Sequence, residues 1–301
     1  MISFDPKDLS TGRLHGYLLS AIAPRPIAFA STVDSEGQPN LSPFSFFNVF
    51  SANPPILIFS PARRVRDNTV KHTLENVEAV KEVVINVVNY DMVHQMSLSS
   101  TEYEKGVNEF EKSGLTMLKS DKVKPFRVAK SPVQFECKVN DIIKLGTEGG
   151  AGNLVICEVV KLHITEEVLD DQNLIIQEKL DLVARAGGDY YNRAKKGFFE
   201  IPKPLLSKGI GVDAISEDIR NSMILTGNDL GMLGNIATLP SQKDINLFLK
   251  DISERYPNIN EMTHRKKHKL AKNYLSYGDV VSAWKVLLIQ PKSNKNSNRN
   301  K

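Results

Sequence analysis

The chain has 301 residues, of which 41% are hydrophobic and 25% charged, and its formal net charge is +4. This composition is typical of a soluble globular protein, and the length allows one large domain or two ordinary ones. So small a charge does not indicate nucleic-acid binding, and no apolar run approaches the roughly 18 residues of a membrane-spanning helix. Because the first ten residues lack a secretory signal pattern, we expect a cytoplasmic protein.

The two cysteines, Cys137 and Cys157, lie in alternating, strand-like patterns. Their spacing fits neither a disulfide framework nor a zinc site. We expect both to be small buried residues.

The first part of the chain predicts a helix followed by antiparallel strands. A helix around Leu14 to Ala23 should end at Pro24 and Pro26, which leave Arg25 extended at a strand entrance. Period-two alternation predicts a strand at 27–33, and a turn at 34–37 returns the chain through 40–48 before a third strand at 56–60.

These strands carry more small hydroxyl and amide side chains than a core requires. They are Ser31, Thr32, Ser42, Ser45, Asn48 and Ser60. We therefore interpret residues 24–60 as one wall of a cofactor pocket.

Beyond residue 66 the hydrophobic spacing first becomes helical and then alternates between strand and helix patterns. Val70, Leu74 and Val77 share one helix face, with Asp67 or Asn68 as the expected N-cap. A buried strand at 83–88, short helices at 92–100 and 103–112, and strands at 133–139 and 154–165 follow. The glycine cluster within 146–152 favours a hairpin connection over a phosphate loop, because no Gly-Lys-Ser/Thr follows it.

After about Pro204 the strand patterns cease. Helices are expected across 205–290, including one opened by Ser241 with Asp244 as its capping partner, a basic one at 261–277, and a last one capped by Asp279. The polar residues 291–301 should form a disordered tail. The predicted domains are thus 1–200, a helical extension at 201–290, and the tail.

Several blocks in this order resemble the flavin reductase-like family of the flavoredoxin type. They are PRPIAFASTVDSEGQPNLSPFSFFN at 24–48, NPPILIFSP at 53–61, KHTLENV at 71–77, VVINVV at 83–88, NEFEKSGLT at 108–116, SPVQFECKV at 131–139, NLVICEVVKLHI at 153–164 and ARAGGDYY at 184–191. The resemblance covers roughly residues 10–195. It implies a mainly β fold, the FMN-binding split barrel, a six-stranded antiparallel Greek-key barrel that dimerises with flavin near the subunit interface.

The resemblance also implies which residues hold the flavin. Ser45, Phe46, Phe47 and Asn48 would edge the isoalloxazine, Thr32 and Ser60 would bond ribityl or phosphate oxygens, and Lys71 and Thr73 would take the phosphate at a helix N-terminus. Arg25, Arg63 and Arg64 are further phosphate candidates. Whether Arg63, Arg64 or Arg66 replaces Lys71 as the main phosphate partner stays open.

A closing loop is the last implied part of the pocket. Arg185, the Gly187-Gly188 pair and Tyr191 resemble a segment in which glycines let the backbone approach flavin and an aromatic ring stacks on it. The alternative is a plain turn between the barrel and the extension.

Two histidine patterns have both a functional and a structural interpretation. His163 could position the nicotinamide, or it could be a partly buried, hydrogen-bonded strand residue. His264 and His268 have the spacing of a helical metal pair, but four flanking cations and the lack of a carboxylate within the run favour a solvated helix face and no metal. The turn-forming stretch at 228–235 is either a helix corner or a lid over the flavin.

The function implied by the resemblance is an NAD(P)H-dependent flavin reductase with FMN as cofactor and FAD as the alternative. Hydride would pass from reduced nicotinamide to bound flavin, and electrons would leave to free flavin, an oxygenase partner or another acceptor. The alternative is a flavin-binding electron carrier or storage protein without NAD(P)H turnover. A third alternative is a structural or nucleic-acid module that uses the basic helices. Such a protein would bind no flavin and would be colourless.

Overall fold

The computed structural model describes residues 1–203 and 208–290. The chain divides into two compact units, Met1–Phe199 and Glu200–Lys301. The predicted disordered tail at 291–301 lies outside the described residues.

The first unit is built on one antiparallel sheet. Among the described residues the sheet has seven strands, which are β1 (Ala28–Val33), β2 (Pro39–Phe44), β3 (Phe47–Ala52), β4 (Pro55–Phe59), β5 (Glu82–Val87), β8 (Val133–Lys144) and β9 (Asn153–Ile164). Their order across the sheet is β2-β1-β5-β8-β9-β4-β3. Two small strand pairs lie outside it, β6 (Met117–Leu118) with β7 (Arg127–Val128) and β10 (Val183–Arg185) with β11 (Tyr191–Arg193).

The strand count exceeds the predicted six because the return through 40–48 is two strands and not one. The chain bends at Ser45 and Phe46, so β2 ends and β3 begins on either side of that link. These two strands form opposite edges of the sheet. The link therefore crosses the split between the two edges of the sheet.

The core of this unit is formed by the alternating faces that the sequence predicted. Phe59, Ile85 and Val155 are fully buried, together with Cys137 and Cys157. Both cysteines are free thiols, and burial raises the pKa of each thiol well above its ordinary value. The prediction of two small buried residues is confirmed.

Short helices pack around the sheet. They are α1 (Thr11–Ala21), α2 (His72–Val80), α3 (Val93–Leu98), α4 (Glu109–Ser113) and α5 (Gln177–Leu180). No helix among residues 1–203 and 208–290 has the length and apolarity needed to cross a membrane.

The expected start of α2 at Asp67 or Asn68 was wrong, and the reason is local turn chemistry. The Asp67 carboxylate accepts a hydrogen bond from the Thr69 N–H at 3.1 Å, and Asn68 adopts a left-handed backbone with φ of 59°. Both side chains therefore stabilise a turn, as short polar residues often do. The helix begins one turn later, with Lys71 at its N-cap position.

The second unit is helical in its described part. Its helices are α6 (Glu217–Arg220), α7 (Gly227–Gly234), α8 (Gln242–Arg255), α9 (His264–Ser276) and α10 (Val280–Leu288). The predicted capping box of α8 is present, with Ser241 and Asp244 bonding each other's backbone N–H. Trp284 lies in the core, where its Nε1 donates to the Leu233 carbonyl at 2.9 Å.

Candidate functional site

A cavity of about 230 Å³ opens at the split of the sheet. It lies where α1, the β2–β3 link and the N-terminus of α2 approach residues 185 and 186. Six of the predicted site residues line it, namely Arg25, Ser45, Phe46, Ser60, Lys71 and Arg185. The structure adds His15, Leu19, Phe44 and Ala186, which sequence reasoning missed because only their placement in three dimensions marks them.

Lys71 is the lysine among the cations that line this cavity, the others being Arg25 and Arg185. Its Nζ lies 5.8 Å from the centre of the Phe44 ring, and no described carboxylate lies within 4.0 Å of it. Burial lowers the pKa of Lys71, and the nearby charge of Arg64 lowers it further. A half-buried ammonium beside the N-terminal N–H groups of α2 is a ready site for an anion.

The neighbouring arginines already have partners. Arg63 donates from Nε to the Asn68 side chain at 2.6 Å. Arg64 and Arg66 each contact the Glu102 carboxylate at 2.9 Å. Of these four cations, Lys71 alone has no partner within the part of the chain that the structure describes. It is therefore the best candidate for the main phosphate partner.

Arg25 is a structural residue of the cavity wall. Its guanidinium donates to the carbonyls of Leu19, Ile22 and Ala186 and, at 3.4 Å, to the Ser45 hydroxyl. Burial lowers the pKa of Arg25, and the charge of Arg185 lowers it further. With most of its donors used, Arg25 ties α1 to the β2–β3 link and holds Ser45 in place.

Ser60 lies on the opposite wall. Its Oγ accepts the Asn153 N–H at 3.0 Å, and its N–H donates to the Phe46 carbonyl at 2.9 Å. These bonds join the end of β4 to the start of β9 and to the link across the split. Ser60 thus presents a hydroxyl at the cavity from a fixed position.

Thr32 and Thr73 are engaged in a buried network. The Thr73 hydroxyl donates to the Asn40 side chain at 2.8 Å, and the Asn76 amide donates to Thr32 Oγ1 at 3.0 Å. Asn40 in turn donates to Glu109 at 2.9 Å, and burial raises the pKa of that carboxyl. The structure does not bring Thr32 to the cavity, while Thr73 lines a small adjoining space that shares Lys71 with it.

The predicted ring-edge segment is divided between two cavities. Ser45 and Phe46 line the one beside Lys71. Phe47 and Asn48 begin β3 and line a separate apolar cavity with Leu57. Only the first half of the segment is therefore placed to meet a ligand bound at Lys71.

The β10–β11 hairpin closes one side of the cavity through Arg185. The Arg185 guanidinium lies 4.6 Å from the centre of the Tyr191 ring and donates to the Gly188 carbonyl at 2.7 Å. Tyr191 is not among the residues that line the cavity. A Cβ at Gly187 would lie 2.3 Å from the Ser20 hydroxyl oxygen, so this glycine permits packing against α1. That contact is one reason for a glycine at this position, and the predicted approach of the loop to flavin stays a prediction.

His163 lies in a different cavity, of about 470 Å³, together with Arg127 and Lys161. Its Nε2 is 2.6 Å from Oε1 of Glu136, a fully buried carboxylate. Burial opposes ionisation of Glu136, but hydrogen bonds from the Asp121 N–H, His163 and a second backbone N–H outweigh it and lower its pKa. His163 therefore orients a buried carboxylate, and its role toward nicotinamide stays a prediction.

Known proteins are similar in sequence to the first unit of this chain. A family model described as "Flavin reductase like domain" matches residues 20–183, more than half of the chain. An uncharacterized protein of Aquifex aeolicus is 35% identical over 193 residues, which cover 64% of this chain and 96% of that protein.

Solved structures agree with this match. Nitrilotriacetate monooxygenase component B from Bacillus cereus is 28% identical, with a TM-score of 0.63 over 67% of this chain and 98% of its own. A putative flavin reductase with a split barrel domain from Shewanella frigidimarina is 25% identical, with a TM-score of 0.57 over 67% of this chain and all of its own. The predicted split barrel followed by C-terminal helices is confirmed.

Proposed function

This chain belongs to the flavin reductase-like family, and on that premise we propose that it is an FMN-dependent oxidoreductase of the NAD(P)H:flavin reductase type. When bound, the flavin would accept a hydride from NADH or NADPH and pass the electrons to free flavin or a partner. The observation that carries the proposal is the ammonium of Lys71, which has no ion-pair or hydrogen-bond partner among the described residues. Lys71 is the N-cap residue of α2 and lines a cavity with hydroxyl and aromatic walls.

The chemistry of the cavity fits the two ends of FMN. Lys71 and the N–H groups that open α2 would hold the terminal phosphate, because a dianion satisfies both a desolvated cation and a helix N-terminus. Ser60 presents a hydroxyl that suits the polar ribityl chain. An anion site at a helix N-terminus favours FMN, whose one phosphate ends the molecule, over FAD.

The aromatic wall suits the ring system. Phe46 is 39% exposed, and its ring meets the His15 ring edge-on at 6.3 Å. Flat apolar surfaces of this kind favour stacked or edge-on contact with an aromatic ligand. Ser45, held by Arg25, would orient the ring edge through its hydroxyl or backbone.

The size of the cavity supports a homodimer. Its 230 Å³ is below the roughly 300–1,000 Å³ of ordinary ligand pockets. Large apolar side chains are exposed nearby in the sequence, at the C-cap of α1 and on β3. They include Ile22 at 64%, Val49 at 64% and Phe50 at 62%. An exposed apolar edge strand favours association, so we propose that a second subunit completes the pocket.

The comparisons support one class of electron acceptor. The Bacillus cereus neighbour is by its name a component of a monooxygenase. We therefore propose an oxygenase partner, which would receive reduced flavin from this protein. Release of electrons to free flavin or another acceptor remains the simpler form of the same activity.

The test is flavin binding followed by anaerobic reduction. Purified protein reconstituted with FMN should be yellow and should bleach when NADH or NADPH is added in the absence of oxygen. Yellow protein that resists both nucleotides would be an electron carrier or store. Protein that binds no flavin would contradict both.

A further inference from the structure

A cluster of two histidines and one aspartate lies in the helical unit, apart from the proposed flavin site in the sequence. The potential ligand atoms of Asp218, His264 and His268 all lie within 4.8 Å of one another. Asp218 is on α6, and the two histidines are one turn apart on α9. Nothing in the proposed flavin chemistry uses these residues.

The structure supplies the carboxylate that the sequence of α9 lacks. Oδ2 of Asp218 is 3.0 Å from Nδ1 of His264, across 46 positions of sequence. Two imidazoles and one carboxylate make a donor set that Zn²⁺ and similar divalent ions prefer. The lack of a carboxylate within the run of α9 was one of two sequence arguments against a metal, and the fold removes it.

The flanking cations also point away from the cluster. At 3.6 residues per turn, Arg265, Lys266 and Lys269 lie roughly 80° or more around the helix from the direction shared by His264 and His268. Lys267 is buried, and its Nζ donates to the Ile289 carbonyl at 2.6 Å. The repulsion expected from the sequence is thus reduced by helix geometry and by that bond.

Further hydrogen bonds hold two of the ligands in position. Ser216 donates to Oδ1 of Asp218 at 2.6 Å, which leaves Oδ2 toward the histidines. Nδ1 of His268 lies 2.8 Å from the Ser222 hydroxyl, which fixes the ring. Supporting contacts of this kind orient ligands in metal sites.

We propose that Asp218, His264 and His268 bind a divalent transition-metal ion of the Zn²⁺ class. Bond lengths near 2.0–2.2 Å place ligand atoms roughly 3.4 Å apart in a tetrahedral site, so the three side chains must rearrange slightly. His264 and Asp218 can move to do so, since their side chains are 69% and 48% exposed. Three protein ligands leave a further position for water, and the ion would fasten α6 to α9.

The experiment uses the whole 301-residue chain without an affinity tag. Zn²⁺ is titrated by calorimetry, and Co²⁺ is added in parallel because its visible spectrum reports ligand type and geometry. The variants are His264→Ala and Asp218→Asn, and the matched control is His94→Ala, which removes an exposed histidine from the first unit. Circular dichroism of each variant confirms that it is folded.

The wild type and the His94→Ala control should bind one Zn²⁺ per chain with equal affinity. His264→Ala and Asp218→Asn should each weaken binding by about tenfold or more, since even supporting residues contribute 10- to 100-fold. Zn²⁺ should raise the melting temperature of the wild type and not that of Asp218→Asn. Failure of the wild type to bind saturably, or unchanged binding in both ligand variants, would show only a hydrogen-bonded surface cluster and overturn the proposal.

Discussion

Replacing Lys71 with methionine is the perturbation that best separates a phosphate site from a general cavity. Methionine keeps most of the volume of the lysine stem and removes the ammonium. Because Lys71 is half-buried and no described carboxylate lies within 4.0 Å of it, the change breaks no ion pair of the protein itself. Any loss of affinity for FMN then reports a lost contact between the Lys71 ammonium and the ligand.

The magnitude follows from the burial of the ammonium. A charge-assisted hydrogen bond is worth about 1.5–3 kcal/mol, whereas an exposed ion pair is worth about 0–1 kcal/mol. Since the Lys71 ammonium is partly desolvated, we expect the larger range, which corresponds to an FMN Kd about 10- to 150-fold weaker. The ligand-free variant should be as stable as the wild type or more stable, because an uncompensated charge leaves a partly buried position.

The assay is fluorescence titration of the apoprotein with FMN and with riboflavin, which lacks the phosphate. Lys71→Met should weaken FMN binding and leave riboflavin binding unchanged. Lys119→Met, at an exposed position, is the matched control and should affect neither. Equal weakening of both ligands, or no change for FMN, would refute Lys71 as the phosphate anchor.

The remaining predictions concern the buried carboxylate, the histidine beside it and the two units. The pKa of Glu136 is lowered in the folded protein, so its stabilising effect is present above the pKa of the unfolded state, about 4.3, and is lost as pH falls through the lowered pKa. Glu136→Gln should therefore lose less stability in acid than the wild type. Urea unfolding measured at a series of pH values tests this. His163→Ala removes a partner of that carboxylate and should cost about 1–3 kcal/mol in the same unfolding assay. If His163 also positions the nicotinamide, as predicted, this variant should have a raised Michaelis constant for reduced nicotinamide. An unchanged Michaelis constant would contradict that role. Residues 1–199 should fold and bind FMN alone, since every residue lining the Lys71 cavity belongs to them, as equilibrium FMN titration can verify. The predicted lid at 228–235 requires faster flavin release from this fragment than from the full chain, and equal release rates measured by stopped flow would end that idea.

The strands were predictable because their signals are local. Period-two alternation and strong turn residues marked β1, β4, β5, β8 and β9 to within a few residues, except that β8 extends to Lys144. The link at Ser45 and Phe46 was read through as strand, because both residues also fit an alternating pattern. Its true conformation depends on which sheet edge each half joins, and this is a property of the whole sheet.

The site was predictable in composition and less so in detail. The resemblance led to Lys71, Ser60 and Phe46, which do meet at one cavity. It could not show that the Arg25 guanidinium donates to the Ala186 carbonyl, because that contact joins distant parts of the chain. The carboxylate of Asp218 was missed for the same reason, since it reaches His264 only through the fold.

Anaerobic titration of the FMN-loaded protein with NADH and NADPH tests the central claim most directly. The visible absorbance of the bound flavin should bleach with at least one nucleotide, at about one equivalent per flavin since a hydride carries two electrons. Free FMN under the same conditions should bleach far more slowly. Flavin that is bound but stays oxidised with both nucleotides would contradict the proposed reductase activity.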